Sequence, residues 1–193
     1  MALPRIRPDE KWSYREYREW PDGERWEIID GNAYAMSPAP SQRHQDIAGE
    51  IFREIATYLL DKPCKVFIAP FDVRLAEEGE ENDDVSNVVQ PDIVVVCDRK
   101  KLDGAGCVGA PDMVAEILSP STARKDIKEK FLLYERHGVK EYWIVNPEAQ
   151  IVHVYQLGSD NRYGRPDIYG PDDKLTVGIL PELVIDLPLV FRE

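Results

Sequence analysis

Gln90-Pro91-Asp92-Ile93-Val94-Val95-Val96-Cys97 and Pro111-Asp112-Met113-Val114-Ala115-Glu116-Ile117-Leu118 decide how this chain folds. Each starts at a Pro-Asp pair and runs on as a short apolar segment, too apolar to leave either face in water. That pattern predicts two buried strands, joined by a connection containing Gly104, Gly106 and Gly109. Asp92 then stands at the mouth of the first strand and Glu116 lies inside the second. An ionised carboxylate in a core strand costs several kcal/mol unless a cation or a metal is beside it, so Glu116 calls for a partner.

The next segment supplies a cation. Ser119-Pro120-Ser121-Thr122 is a turn and cap, and the helix it opens is predicted to end at His137 with Gly138 as its stop. At about 100° per residue, Ile127, Phe131 and Tyr134 share one face, and Lys130 falls beside them. The same phase turns Lys125 and Lys128 outward. Two carboxylates on neighbouring strands with an inward lysine on the following helix suit metal-assisted hydrolysis of a phosphodiester: hard oxygen ligands hold magnesium, and an ammonium positions or polarises the attacking water. A bland alternative is that Asp92 caps a turn while Glu116 and Lys130 form a buried ion pair.

The flanking chain reads as scaffold. Trp12, Tyr14, Tyr17 and Trp20 alternate with charges, and Tyr17 and Trp20 have helical spacing, so residues 1–22 form a small N-terminal appendage with a short amphipathic helix ending at Pro21-Asp22-Gly23. Asp30-Gly31 predicts a hairpin between Arg25–Asp30 and Asn32–Met36. Glu27, in its first arm, reads equally as a solvent-facing strand acid and as an extra acid near a metal. Ser41 caps a helix to about Leu60 with Ile47, Ile51, Ile55 and Tyr58 inward. His44 lies on that stripe, where a histidine is usually a satisfied core residue. Lys65–Leu75 reads as one strand bent at Pro70, carrying Asp72. Glu141–Val145 and Ile151–Gln156 form a last antiparallel pair, and the apolar segment Leu183–Phe191 suggests an edge strand or a dimer arm.

Composition sets limits. The 193 residues suit one domain with a sizeable core, no apolar run approaches a membrane span, and Met1-Ala2-Leu3-Pro4-Arg5 lacks the apolar stretch of a signal peptide, so the expected location is cytoplasmic. Three cysteines without a Cys-x-x-Cys spacing argue against a disulfide framework and a structural zinc site. A net charge of −12 repels a polyanion, but six acids lie in the single run Glu77–Asp84, a solvated loop without calcium-loop spacing. Arg124, Lys125 and Lys128 are candidate phosphate contacts.

At these residues the chain resembles the PD-(D/E)XK nuclease superfamily and, within it, the Uma-two type family of candidate restriction endonucleases. The matching segments are Trp26–Gly31, Met36-Ser37-Pro38 with His44, Pro70–Leu75, Gln90–Val96, Val114–Thr122 with Asp126, Lys130 and Tyr134, and Glu141–Val145. One departure stands out: the superfamily pattern has lysine two residues after the second acid, and here that place holds Leu118, so the role passes to Lys130. The resemblance implies a restriction-endonuclease-like α/β fold, a mixed curved sheet flanked by helices. It implies a DNA endonuclease dependent on Mg2+ or Mn2+, with Asp92, Glu116 and the backbone carbonyl of Ile117 as metal ligands. His44 and Glu27 fall near that metal, and Lys130 and Tyr134 take part in catalysis. A homodimer would present two such sites to a duplex. The alternative is a noncatalytic interaction module that keeps the fold and binds a basic protein with its acidic surface.

Overall fold

The computed structural model describes residues 10–21, 25–36, 39–120 and 123–192, without the side chain of Arg124. Within the N-terminal appendage, α1 (Tyr14–Tyr17) packs its buried Tyr14 against Ile28, Val85 and Val88, while Trp12 N–H donates to the Gly31 carbonyl. Residues 1–9 of that appendage, with Asp22 and Gly23 of its expected turn, lie outside the described residues, as do Ser37, Pro38, Ser121 and Thr122. Strands β1 (Trp26–Ile29) and β2 (Asn32–Ala35) form the expected hairpin. Asp30 and Gly31 take φ of 51° and 73°, the positive pair that a two-residue turn requires.

Helix α2 (Gln42–Tyr58) buries His44, Ile47, Ala48, Ile51 and Ile55, and Ser41 Oγ accepts from the His44 N–H at 3.2 Å. The segment read as one bent strand is two, β3 (Lys65–Ile68) and β4 (Val73–Arg74), and they belong to different sheets. Pro70 has no N–H to give to a ladder, so pairing stops there and resumes in a new sheet. The Gln90 stretch splits in the same way. Strand β5 (Val88–Val89) pairs with β1 and β4, β6 (Ile93–Val96) pairs with β3, and Gln90-Pro91-Asp92 is the crossing.

Strand β7 (Cys107–Val108) completes the five-stranded sheet, in the order β2-β1-β5-β4-β7. Gly106, just before β7, has φ 147°, and a Cβ there would lie 2.3 Å from the Asp72 carbonyl oxygen. Gly106→Ala is therefore expected to cost about 1–3 kcal/mol, seen as a lower urea midpoint at unchanged slope. A midpoint equal to that of the parent would show that the two backbones can separate freely.

Next come β8 (Met113–Ile117), α3 (Ala123–Lys125), one wide π-helical turn at Asp126–Lys130, and α4 (Phe131–His137), which Gly138 ends at φ 80°. Strands β9 (Glu141–Asn146), β10 (Ile151–Gln156) and β11 (Asp167–Tyr169) complete a six-stranded sheet in the order β11-β10-β9-β8-β6-β3, with β8 and β9 parallel. A small pair, β12 (Lys174–Thr176) and β13 (Val184–Asp186), leads into α5 (Leu187–Val190).

The six-stranded sheet is covered on both faces, which is why its strands read as continuous apolar runs. One face packs Ile93, Met113, Ala115, Trp143 and Val145 against the inner stripe of α2. The opposite face packs Val94, Val114 and Ile144 with Leu133 and Tyr134 of α4 and with Ile29, Val73 and Val89 of the second sheet. The apolar C-terminal segment is no free dimer arm. Ile185, Leu187, Val190 and Phe191 are buried in the chain's own core beside α2, and Arg43 donates to the Phe191 and Arg192 carbonyls at 2.6 and 2.7 Å.

Two further expectations change. Cys64 and Cys97 are joined in a disulfide, because they flank the Lys65↔Val96 pair of β3 and β6, while Cys107 remains a buried free thiol. Pairing across a ladder cannot be read from a cysteine count. The acidic Glu77–Asp84 run is exposed as expected, but several of its charges are matched. Arg15 pairs with Asp84 at 2.7 Å, Arg18 with Asp83 at 3.0 Å, and Arg136 with Glu77 at 3.0 Å. Among the described residues no helix is long and apolar enough to cross a membrane.

Buried acid Asp112 also tests the folded framework. It accepts from the Cys97 N–H at 2.7 Å and from Lys140 Nζ at 2.6 Å. Burial raises its pKa, but the Lys140 and Cys97 bonds outweigh burial and hold it below the ordinary value of 3.8. A depressed carboxyl stabilises the fold above its unfolded pKa and loses that contribution as pH falls through the folded value. Asp112→Asn is accordingly expected to narrow the stability gap between pH 7 and pH 3 in urea titrations; an unchanged gap would remove Asp112 from the acid-sensitive groups.

Candidate active site

Asp92 and Glu116 meet because β6 and β8 pair antiparallel. Their register, Ile93↔Ala115 and Val94↔Val114, brings Asp92 opposite Glu116 one step further on. Asp92 Oδ2 accepts from the Ile117 N–H at 2.8 Å and lies 3.2 Å from His44 Nε2. The Ile117 carbonyl also faces the imidazole. Burial lowers the pKa of His44, but its bond to Asp92, the charge of Asp92 and the Ile117 carbonyl together raise it above the ordinary value. His44 Nδ1 is buried and has no partner among the described residues.

Glu116 is 4% exposed, and its Oε1 accepts from Lys130 Nζ at 2.8 Å and from Tyr134 Oη at 2.7 Å. Lys130 Nζ also lies 2.7 Å from Glu27 Oε1 and 3.5 Å from Asp126 Oδ1. Glu27 is wholly buried, so it is not the solvent-facing strand acid. Its Oε2 accepts from Lys125 Nζ at 2.5 Å, and its Oε1 accepts from the Gln90 N–H at 3.0 Å. The sequence-predicted residues Asp92, Glu116, Lys130, Tyr134, Ile117, His44 and Glu27 are thus gathered in one cluster.

Two helix expectations fail together. Lys125 was expected to face outward as a phosphate contact, yet it is turned in on Glu27 and lies 5.6 Å from the Tyr34 ring centroid. Ile127 was expected on the buried stripe and is exposed, while its neighbour Asp126 is buried. The cause is the wide turn at Asp126–Lys130. In an α-helix five residues advance about 140° beyond a full turn, which sets Lys125 and Lys130 far apart. A π turn takes more residues per turn and narrows that angle, so both ammonium groups reach Glu27. Tyr142 Oη, donating to the Asp126 carbonyl at 3.0 Å, ties the wide turn to β9. Lys128 stays exposed, away from the cluster, and the Arg124 side chain lies outside the described residues.

Among the described residues, Glu27, Asp92, Glu116 and Asp126 face the ammonium groups of Lys125 and Lys130 and one imidazole. Burial drives the Glu116 pKa well above 4.5 and the carboxylates of Asp126, Asp92 and Glu27 add to it, against the pull of Lys130. Lys130 is raised well above its ordinary value: burial opposes this, but Glu116, Glu27 and Asp126 prevail. For Glu27, burial is outweighed by Lys130 and Lys125, and its pKa is lowered. A group of carboxylates in this state takes up a proton or a cation.

The donor chemistry fits a hard divalent ion: the Asp92 carboxylate lines the cleft, and the Glu116 carboxylate and the Ile117 carbonyl lie buried behind it. Among the described residues no group of three or more His, Cys, Asp or Glu side chains is placed to hold a metal ion. Magnesium seldom needs such a group, since it keeps waters and takes one or two carboxylates together with substrate phosphates. Asp92 and His44 open onto a cleft of about 650 Å³ whose rim carries Arg25, Arg43 and Leu118, while Glu116, Lys130 and Tyr134 form the buried layer behind it. Arg25 and Arg43 carry no motif signal in the sequence, whereas Gln90 opens the matching segment Gln90–Val96. Asp126 carries a signal too, four residues before Lys130, the spacing of a helical ion pair.

A covered mixed sheet with acids paired across two central strands, and with lysines from a following helix behind them, defines a nuclease-like α/β protein. The chain belongs to the Uma2 family, described as "Putative restriction endonuclease", whose model matches residues 14–188. It is 26% identical over 156 residues to the uncharacterized protein slr1290 of Synechocystis, covering 79% of this chain and 78% of that one. It is 23% identical over 161 residues to sll1609 of the same organism, covering 82% and 86%. In fold it is similar to the crystal structure of "a putative nuclease belonging to DUF820" from Anabaena variabilis, with a TM-score of 0.73 at 22% identity, covering 93% of this chain and 97% of that one.

Proposed function

We propose that the protein is a metal-dependent endonuclease that hydrolyses phosphodiester bonds in DNA, with Mg2+ or Mn2+ held by Asp92, Glu116 and the Ile117 carbonyl and with His44 beside them. The observation that carries this reading is the Asp92 carboxylate lining an open cleft, with Glu116, whose charged form burial and three neighbouring acids disfavour, opposite it on the next strand. When bound, the metal supplies neutralisation of phosphate charge and a more acidic water. The chain's own residues do the rest. Lys130 and Tyr134 hold Glu116 in one orientation through the bonds to its Oε1, and Lys130 is the proposed catalytic lysine, acting from behind that carboxylate. Glu27 fixes the two lysines against each other, and Asp126 steadies Lys130 from the next turn.

Arg25 and Arg43, on the cleft rim, are better situated to meet a phosphate than the inward Lys125; Lys128 is a second, outer contact. A homodimer remains part of this reading by family resemblance alone. The test is cleavage of supercoiled and linear duplex DNA with Mg2+ or Mn2+ and with chelator. Metal-dependent nicking or linearisation is expected. Specific capture of a basic protein, with every DNA intact at high metal, would favour the noncatalytic interaction module, to which the net charge of −12 is better suited.

A further inference from the structure

Beside the catalytic cleft lies a second cavity of about 570 Å³, and Arg25 lines both. Its walls are aromatic. Trp20 stands with its ring centroid 5.5 Å from Tyr17 and 5.7 Å from Trp26, and Tyr14 stacks on Tyr17 from below at 6.0 Å. Its polar end is a fixed triad. Gln90 Nε2 donates to Tyr17 Oη and to Asp72 Oδ1, and Tyr17 Oη donates to Asp72 Oδ1, each at 2.9 Å. Gln90 Oε1 in turn accepts from Arg25 Nε at 2.9 Å. The amide of Gln90 is therefore held in one orientation, and it joins the cavity to the cleft through Arg25.

We infer that this second cavity takes one unstacked nucleobase of the bound strand, next to the phosphate held in the cleft. The inference rests on the nuclease reading and names a specificity-determining site within it. Aromatic rings stack on any base, so the walls give affinity without sequence preference. Discrimination falls to the polar end. The Asp72 carboxylate only accepts hydrogen bonds when ionised, so it favours a base that offers an exocyclic amine, which adenine, guanine and cytosine have; thymine offers only its ring N3–H, flanked by two carbonyl oxygens that repel the carboxylate. Arg25, standing between the two cavities, is where the phosphate joining the two nucleotides passes. Its guanidinium is suited to that oxygen fork. Gln90 lies two residues before Asp92, so the same crossing segment that sets the catalytic acid also sets the reader of the base.

The test uses the full chain in chelator, with the four deoxynucleoside 5′-monophosphates as probes and saturation-transfer NMR, which reads millimolar binding. dAMP, dGMP and dCMP are expected to bind at least about tenfold more tightly than dTMP. Asp72→Asn is expected to abolish that preference and Trp20→Ala to weaken all four about tenfold; Arg25→Gln is expected to reduce dAMP to the affinity of deoxyadenosine. A thermal melt of each variant reports its folding, and the wild-type preference against dTMP stands as a test even where a variant does not fold. Equal binding of all four probes, no binding, or folded Trp20→Ala and Asp72→Asn proteins that bind like the parent would overturn the inference. Selective binding in a protein that cleaves no DNA would overturn the nuclease reading and keep the base pocket. Cleavage without selective binding would do the reverse.

Discussion

Lys130→Met is expected to destabilise the folded protein by about 3–5 kcal/mol as well as to abolish cleavage, because it removes one partner of a buried ion cluster. Methionine keeps the stem and approximate length of lysine, so packing changes little and the loss is that of the charge. What stays behind is the difficulty. Glu116 keeps only Tyr134 on its Oε1, Glu27 keeps Lys125 and the Gln90 N–H, and Asp126 loses its nearest ammonium. Lys130 is 2% exposed and contacts three acids.

The sign with pH follows from Glu116. Its folded pKa lies above the ordinary 4.5 through burial and neighbouring acids, and loss of Lys130 raises it further. A group raised in this way contributes stability that is full below its unfolded pKa and is lost as pH rises through the folded value. The deficit of Lys130→Met is therefore expected to be largest at alkaline pH and to shrink toward pH 4.5. Adding Glu27→Gln should recover part of the loss, with a coupling of about 0.5–3 kcal/mol in a double-mutant cycle. Urea unfolding within about 0.5 kcal/mol of the parent at pH 8 would mean that the ammonium is not bound to the carboxylates in solution.

Glu116→Gln with Asp92→Ala is expected to abolish both cleavage and the response of stability to metal. A ligand that binds only the folded state adds RT ln(1 + [L]/Kd), about 2.7 kcal/mol at a hundredfold excess over Kd, so the parent should melt higher as Mg2+ or Mn2+ rises. The double variant should not. Glu116→Gln alone should behave in a second, opposite way in chelator. It removes one of four crowded carboxylates while keeping its shape, so relief of the repulsion with Asp126, Asp92 and Glu27 offsets part of the lost bond to Lys130. The single variant is expected to be far milder in metal-free stability than Lys130→Met. Equal metal-induced melting shifts in the parent and the double variant, measured by calorimetry, would reject the metal site.

The central strands and their acids were legible because they depend on local pattern. Apolar runs without alternation can only be strands covered on both faces, and an acid inside such a run stands out against its neighbours. The α2 stripe, the Asp30-Gly31 turn and the stop at Gly138 were legible for the same reason, since each needs only residues within one or two turns of each other. The phase of the Lys130 helix was not. Counted back from Lys130 and Tyr134, which are buried as read, a single wide turn shifts Lys125 to Ile127 against a regular α-helical count, and what holds it, the Tyr142 hydroxyl on the Asp126 carbonyl, comes from a strand that follows in the chain. One inserted turn exchanged the buried Ile127 for Asp126 and drew Lys125 inward.

By itself the sequence determined that Asp92 and Glu116 lie on neighbouring buried strands, that a lysine from the next helix comes to them, and that Leu118 leaves the usual lysine place empty of charge. The first two statements follow from periodicity and from the cost of an unpaired buried carboxylate, and the third from the resemblance to the superfamily pattern. Tertiary structure alone decided the rest. Glu27 became the clamp between Lys125 and Lys130, Gln90 came to hold Arg25 and Asp72, and Cys64 met Cys97, because each of these contacts joins segments at least 18 residues apart in the chain. Such meetings are set by how two sheets and a widened helix pack together, and no window of neighbouring residues carries that information.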